Sequence, residues 1–553
     1  MVNWKLVSDR KKGQVNNSIP EEWQVPGISL DMESSGFLNT SDYLDTILPP
    51  NEKALTTLSA SELASRIHRG ELSSYKVCYA FCHRAALAHQ ILNCCTEIFF
   101  DKALKRAKEL DNIFEVTKTT VGPLHGIPVS LKDQINLPEL DSAIGYVALS
   151  GKKSTSKSLI ANVLEEMGAV FYVKTTVPTA MIASETVSNL HGYTWNAINL
   201  NFTSGGSSGG EGALIGAGGS VLGVGTDIAG SIRIPASFQG LYGLKPSYGR
   251  IPYMNVKNSY AGQEIMPSVI GPMARSLADL EMFARAIVSC ETWNIDPNIV
   301  PIPWRDMSFL AKRKLRLGFL WDDHLMKPHP PITRALEETF NALKFHGHEI
   351  VQWDFPYQKD VLDLAKEVLG ADGGHEVKLL CEEGGEPILD CLKYAFPSLN
   401  DESSSISMGV NEWWKLAEKK NFLKEKFLEH WRETANATSS GEEIDAIISP
   451  VWPFAGFEAH AIPFDPINYT VPINLLDCTS VVLPVTTVDV TVDKKEHDYI
   501  PTNEDDASVK DYYDLARFDK MPVCIQVVCK RMEEEKALAI SSAVLDCLKG
   551  TFK

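Results

Sequence analysis

A helix-length amphipathic run, one glycine and then a short β-rich run recur in that order along the chain, and this order narrows its folds more than any other feature. Residues 158–167 read SLIANVLEEM, with apolar side chains at helical spacing; Gly168 follows, and then AVFYVK. A glycine suits the left-handed turn that ends a helix, and a short run rich in β-branched and aromatic residues suits a buried strand. Residues 332–353, ITRALEETFNALKFHGHEIVQW, repeat the pattern. Ser59 and Glu62 form a capping box ahead of Leu63 and Ile67, with Gly70 at the helix end. Further β-rich runs fall at 129–131, 315–321, 444–448, 480–485 and 523–528, and EEEKALAISSAVLDCL closes the chain as a helix. The reading is α/β: a single large domain with a central mixed, partly parallel, twisted β-sheet flanked by helices. There is no internal repeat and no dividing linker. Residues 1–55 read as an irregular N-terminal arm on a domain of residues 56–553, and the polar, acidic stretch 493–514 reads as a surface excursion.

A net charge of −18 argues against nucleic acid or an anionic membrane as the principal partner. The opening MVNWKLVSDRKKGQ has basic residues with no apolar stretch after them, so no secretory signal is expected. No window approaches the ~20 apolar residues of a spanning helix. The expectation is a soluble cytoplasmic enzyme; a homodimer is compatible with it. The eleven cysteines are scattered, with Cys94–Cys95 adjacent and Cys78 and Cys82 one helical turn apart. Neither CxxC nor HExxH occurs, so they read as buried reduced thiols and no metal site is expected.

From Ser204 the chain reads SGGSSGGEGALIGAGGSVLGVGTDIAGSIRIP. Glycine at this density lets backbone approach backbone or ligand closely. A P-loop would need a GK[ST] ending, and the tract contains no lysine. Gly205-Gly206-Ser207-Ser208-Gly209 matches the G-x-S-x-G elbow of a serine esterase, but an elbow serine follows a buried strand, and HGYTWNAINLNFTS is polar and turn-rich. The third reading places a nucleophile on a nest of backbone amides: small residues at 226–230 directly precede Ser231, and their N–H groups can converge on an oxyanion. Asp227 has the wrong charge to stabilise that oxyanion. It reads as a loop anchor, accepting hydrogen bonds and paired with Arg233.

The tract GGSSGGEGALIGAGGSVLGVGTDIAGSIRIP resembles the signature segment of the amidase signature family, and GPLHGIPVSLKDQ upstream resembles that family's catalytic-lysine strand. The signature-like core covers residues from about 120 to 250. Outside it, NCCTEIFFDKALKRAKELD, NLLDCTSVVLPVT and PVCIQVVCKR extend the resemblance nearly end to end, toward the fungal general amidases or acetamidases.

The resemblance implies that Ser231 forms an acyl-enzyme, Ser207 relays its proton and Lys132 is the base. A lysine serves as base near neutral pH only if burial or positive neighbours lower its pKa, and Lys132 ends the apolar run 127–131. By itself a lone lysine reads as a strand-end surface residue, Ser207 as a turn serine and Ser231 as a helix cap. The implied oxyanion donors are the N–H groups of Ile228, Ala229, Gly230 and Ser231, with Ala229 standing where the family commonly has glycine. Met181 falls at a substrate-contacting position; Glu185 and Asn189 are weaker candidates. Ser208 supports the network, and His125 and His191 are given no role. Tyr146, Tyr193 and Trp452 are candidate pocket aromatics. The implied reaction is hydrolysis of a small aliphatic or arylacetic amide to acid and ammonia, with no cofactor. The alternatives are the Ser207 esterase and an amidase serving a specialised biosynthetic step.

Overall fold

The computed structural model describes residues 3–400, 408–462, 466–494 and 499–551. Its strands are β1 Cys95–Ile98, β2 Pro128–Lys132, β3 Val170–Thr175, β4 Val187–Ser188, β5 Gly192–Tyr193, β6 Leu222–Asp227, β7 Tyr242–Lys245, β8 Val269–Ala274, β9 Arg316–Phe319, β10 Glu349–Gln352, β11 Ala446–Pro450, β12 Thr479–Thr487 and β13 Pro522–Cys529. Except for the small β4–β5 pair, they form one eleven-stranded sheet in the order β1-β3-β2-β6-β8-β7-β12-β13-β11-β9-β10. β3, β2 and β6 run parallel, as do β11, β9 and β10, and the strands between them are antiparallel. The sheet is mixed and partly parallel, as the alternating pattern implied.

The helix–glycine–strand units fold as read. Helix Leu159–Glu166 is followed by Gly168 at φ +93°, where an added Cβ would stand 2.6 Å from the His125 Cα, and then by β3. Helix Pro330–Phe345 leads into β10 in the same way. The Ser59–Glu62 capping box is formed in both directions at the start of helix Ala60–His68. Side chains alternate across β3: Phe171 joins the core under helices Ala60–His68, Leu277–Ser289 and Glu534–Thr551, whereas Val170 and Tyr172 pack on helices Ser74–Leu92 and Phe100–Thr117. This burial of both faces is the main stabilising contribution.

Two regions differ from the sequence reading. The first fifty-five residues are not irregular. They contain helices Trp4–Asn17, Ile28–Ser34, Thr40–Ile47 and Pro50–Thr56. Val15, Trp23, Met32 and Leu44 are buried against the helix Ser74–Leu92, and the buried Lys11 ammonium pairs with Glu97 and Asp141. Tertiary burial overrides weak local periodicity here. Nor is the stretch 493–514 merely a surface excursion. Asn503 caps the helix Glu504–Tyr512, so the acidic run fills a first turn, where the helix dipole favours negative charge. Asp493 and Asp506 are buried, with Asp493 paired to Arg334. Residues 495–498 of this stretch lie outside the described residues.

Candidate active site

The site forms where parallel strands β2 and β6 end. Leu131 lies opposite Val224 in their register, so Lys132 and the Thr226–Asp227 pair leave the sheet side by side. Carboxyl ends of parallel strands are where α/β folds present ligands. Lys132 is fully buried, and its Nζ donates to Ser207 Oγ at 2.9 Å and to Thr226 Oγ1 at 2.7 Å. Burial pushes its pKa down to about 7, against the opposing attraction of Asp227, Glu211 and Asp133. Beneath it, the buried Glu211 carboxyl is pushed up to about 8 by burial, although Ser130 and Thr175 donate to it. Near neutral pH, therefore, both buried groups have substantial neutral populations.

Thr226 and Gln134 were missed in the sequence. The Thr226 hydroxyl donates to Gln134 Oε1 at 2.6 Å, and Gln134 Nε2 donates to Tyr253 Oη and to the Lys257 carbonyl, fixing the amide's orientation. Both residues sit inside the segments that carried the resemblance, so proximity was the available signal.

The loop from Thr226 to Arg233 is held by one carboxylate. Asp227 accepts from the N–H groups of Gly230 (2.9 Å) and Ile232 (3.1 Å), from Arg233 Nε (3.0 Å) and Nη2 (3.1 Å), and from Asn474 Nδ2 (2.9 Å). Burial opposes ionisation, but Arg233 outweighs it and holds the carboxyl well below the usual range. The Gly230 N–H is thereby directed to Asp227, which narrows the oxyanion expectation to Ile228, Ala229 and Ser231. Thr470 Oγ1 donates to the Ala229 carbonyl at 2.6 Å and fixes the peptide that follows it. Thr470 and Asn474 lie some 240 residues downstream and carried no local signal. Gly230 sits at φ +130°, where a Cβ would stand 2.7 Å from Ile234 Cδ1 and Thr470 Oγ1.

Ser208 ties the two serine segments together: its N–H donates to the Ser231 carbonyl at 3.1 Å, and its hydroxyl meets the Thr226 backbone at 3.3 Å. The Gly206–Ser207 peptide is cis. Ser207 and Ser231 both line a small chamber of about 10 Å³, together with Gln134 and Thr226. On its other side Ser231 opens into an apolar cavity of about 520 Å³, walled by Ile234, Leu369, Tyr394, Phe396 and Ile467. Met181 lines both spaces, at φ +62° directly after Ala180 at φ +64°. Two successive left-handed residues without glycine mark a strained backbone beside the site.

The remaining candidates fall elsewhere. Glu185 accepts from the Tyr193 hydroxyl and the His460 N–H, and Asn189 donates to Glu386 and to the Pro387 carbonyl. The ring of His125 accepts from the Val121 N–H, His191 is buried near Asn93, and neither ring lines either space. Of the aromatics, Tyr146 packs behind Met181, while Tyr193 and Trp452 line neither space. Among the described residues, no cysteine forms a disulfide. Folding does gather His89, Cys94 and Cys95 within 4.8 Å of one another, which their spacing did not suggest. The Cys95 N–H donates to His89 Nδ1, so that nitrogen's lone pair is occupied. Among the described residues, no helix is long and apolar enough to cross a membrane.

The family model described as Amidase matches residues 76–538. An acetamidase of Emericella nidulans is 40% identical over 549 residues, covering 98% of each chain. An acetamidase of Aspergillus oryzae is 39% identical with the same coverage. A solved structure of a fatty acid amide hydrolase superposes with a TM-score of 0.91 at 36% identity, covering 99% of this chain and 95% of that one.

Proposed function

This chain belongs to the amidase family, and from that premise we propose that it hydrolyses linear carboxylic acid amides to the acid and ammonia through an acyl-enzyme on Ser231. The observation that carries the mechanism is Lys132: a fully buried amine with its pKa lowered to about 7, in hydrogen-bond contact with Ser207. Because the Thr226 proton is given to Gln134, Thr226 can only accept from Lys132. The neutral amine's lone pair is then free to accept the Ser207 proton.

In the proposed reaction, Ser231 Oγ attacks the amide carbonyl while its proton passes to Ser207 and the Ser207 proton passes to Lys132. The oxyanion is met by the N–H groups of Ile228, Ala229 and Ser231. As the C–N bond breaks, the relay runs backwards and protonates the departing nitrogen, and ammonia leaves. Water then adds to the ester with the same relay as base. The Ser231–acyl bond breaks, Ser231 recovers its proton, and the acid departs. Small aliphatic and arylacetic amides are the proposed substrates, in line with the acetamidase names of the relatives.

The esterase reading with Ser207 as nucleophile needs a histidine base, and among the described residues no histidine lines the chamber beside Ser207 or the larger cavity beyond Ser231. Fluorophosphonate labelling followed by peptide mapping tests the assignment. The adduct is expected on Ser231 and absent from a folded Ser231→Ala protein; an adduct on Ser207 would overturn it.

A further inference from the structure

Ser231 stands between two spaces of very different size and chemistry. The smaller, about 10 Å³, has a mixed wall: the polar residues Gln134, Ser207, Thr226, Asn258 and Ser268 face the apolar Met181, Ile182 and Ile228. A cavity needs roughly 10–15 Å³ to hold one water, so this chamber admits a single water-sized molecule. Tyr260, whose buried hydroxyl has no hydrogen-bond partner among the described residues, contributes to this wall and also to a neighbouring cleft. The larger space, about 520 Å³, is apolar over most of its wall, with Lys366 and Lys393 also lining it.

The chemistry decides which half of the substrate enters which space. Resting on the amidase reading above, the proton donor to the leaving nitrogen is Ser207, and Ser207 lines the small chamber but not the large one. The nitrogen must therefore depart into the small chamber, and the acyl chain must lie in the large one. Ammonia is the size of water and fits; an N-alkyl or N-aryl group does not. An acetyl methyl, conversely, leaves most of the large cavity without contact.

We infer that the preferred substrates are primary amides of apolar acids well beyond acetic, of hexanoyl or phenylacetyl size, and that substitution on the nitrogen is excluded by the small chamber. Each methylene transferred from water to an apolar wall is worth about fourfold in binding. Four added methylenes then raise kcat/KM from acetamide to hexanamide by roughly a hundredfold, after allowance for imperfect contact. N-methylation lowers it by at least about a hundredfold, because the added group displaces the nitrogen from Ser207.

The test is kcat/KM on acetamide, butanamide, hexanamide, phenylacetamide and the N-methyl amide and anilide of the best acid. The expected result is a rise along the primary series and a collapse on N-substitution. Leu369→Trp, which fills the large space, is expected to lower the hexanamide-to-acetamide ratio by about tenfold or more. Tyr260→Ala, or Asn258→Ala if that variant does not fold, is expected to raise the ratio of N-methyl to primary amide. Acetamide equal to or better than hexanamide, or N-methyl amides within tenfold of primary ones, would overturn the inference while leaving the amidase reading intact. No turnover on any amide, with no fluorophosphonate adduct on Ser231, would overturn both.

Discussion

The Lys132 Nζ lies 2.7 Å from Thr226 Oγ1, and that hydroxyl has already given its proton to Gln134, 2.6 Å away. Proton direction at the Lys132 amine is thus set through Thr226 by Gln134. If the neutral amine is the base, amide kcat/KM should rise with pH through about 7, the value to which burial lowers Lys132, and level off above it. A flat profile between pH 6 and 8 would contradict this. Gln134→Leu frees the Thr226 proton to compete for the lysine lone pair, and is expected to cost about tenfold or more in amide kcat on the same assay.

Lys132→Met should lose amide turnover far more than turnover of activated esters, whose leaving groups need no proton. The same change should stabilise the fold. In the folded state Lys132 prefers to be neutral, while in the unfolded chain it keeps its ordinary value of 10.5. Stability is therefore lost as pH falls from 10.5 toward 7, and the full loss persists below. A pKa of about 7 corresponds to at most ~5 kcal/mol. After subtracting hydrogen bonds worth ~1 kcal/mol each, a net gain of about 1–3 kcal/mol is expected by urea denaturation at pH 6–7. The gain should vanish near pH 10.5.

Asp227→Asn tests the loop anchor. Removing one partner of a buried, hydrogen-bonded pair costs about 3–5 kcal/mol, and Arg233 is fully buried beside it. The carboxyl is depressed in the fold, so its contribution is fully present above the unfolded value of 3.8 and is lost as pH falls below that. Urea midpoints of wild type and variant should differ strongly at pH 7 and draw together in acid.

Gly230→Ala places a methyl 2.7 Å from Ile234 and Thr470 at φ +130°. The expected cost is about 1–3 kcal/mol of stability. Amide kcat is expected to fall by at least about a hundredfold, because the displaced peptide carries the oxyanion donors with it. Thermal unfolding and steady-state kinetics together check both effects.

The parts of this molecule that were legible in the chain are those whose causes are local. A glycine after an apolar helical run announces the strand that follows, as at Gly168, and the ordered segments around Lys132, Ser207 and Ser231 carried the family pattern. The rest depends on contacts distant in sequence. Thr470 and Asn474 bind a loop more than two hundred residues upstream. The helices of residues 4–56 exist because Trp23 and Leu44 find cover on another helix. The acyl-side wall was missed because Leu369, Phe396 and Ile467 carry no individual signature; only folding gathers them.

That last arrangement has a consequence for how such a protein can change over generations. The groups proposed to react hang from β2, from the turn at Ser207 and from the turn that follows β6, anchored by a dense set of hydrogen bonds. The wall proposed for the acyl chain draws on residues 366–396, which hold none of those anchors, but also on Met181, on the Ser231 turn and on Ile467, whose segment carries Thr470. Substitutions within 366–396 can therefore reshape the wall without touching those anchors. A laboratory library aimed at new acids would do well to randomise the wall and spare the turn.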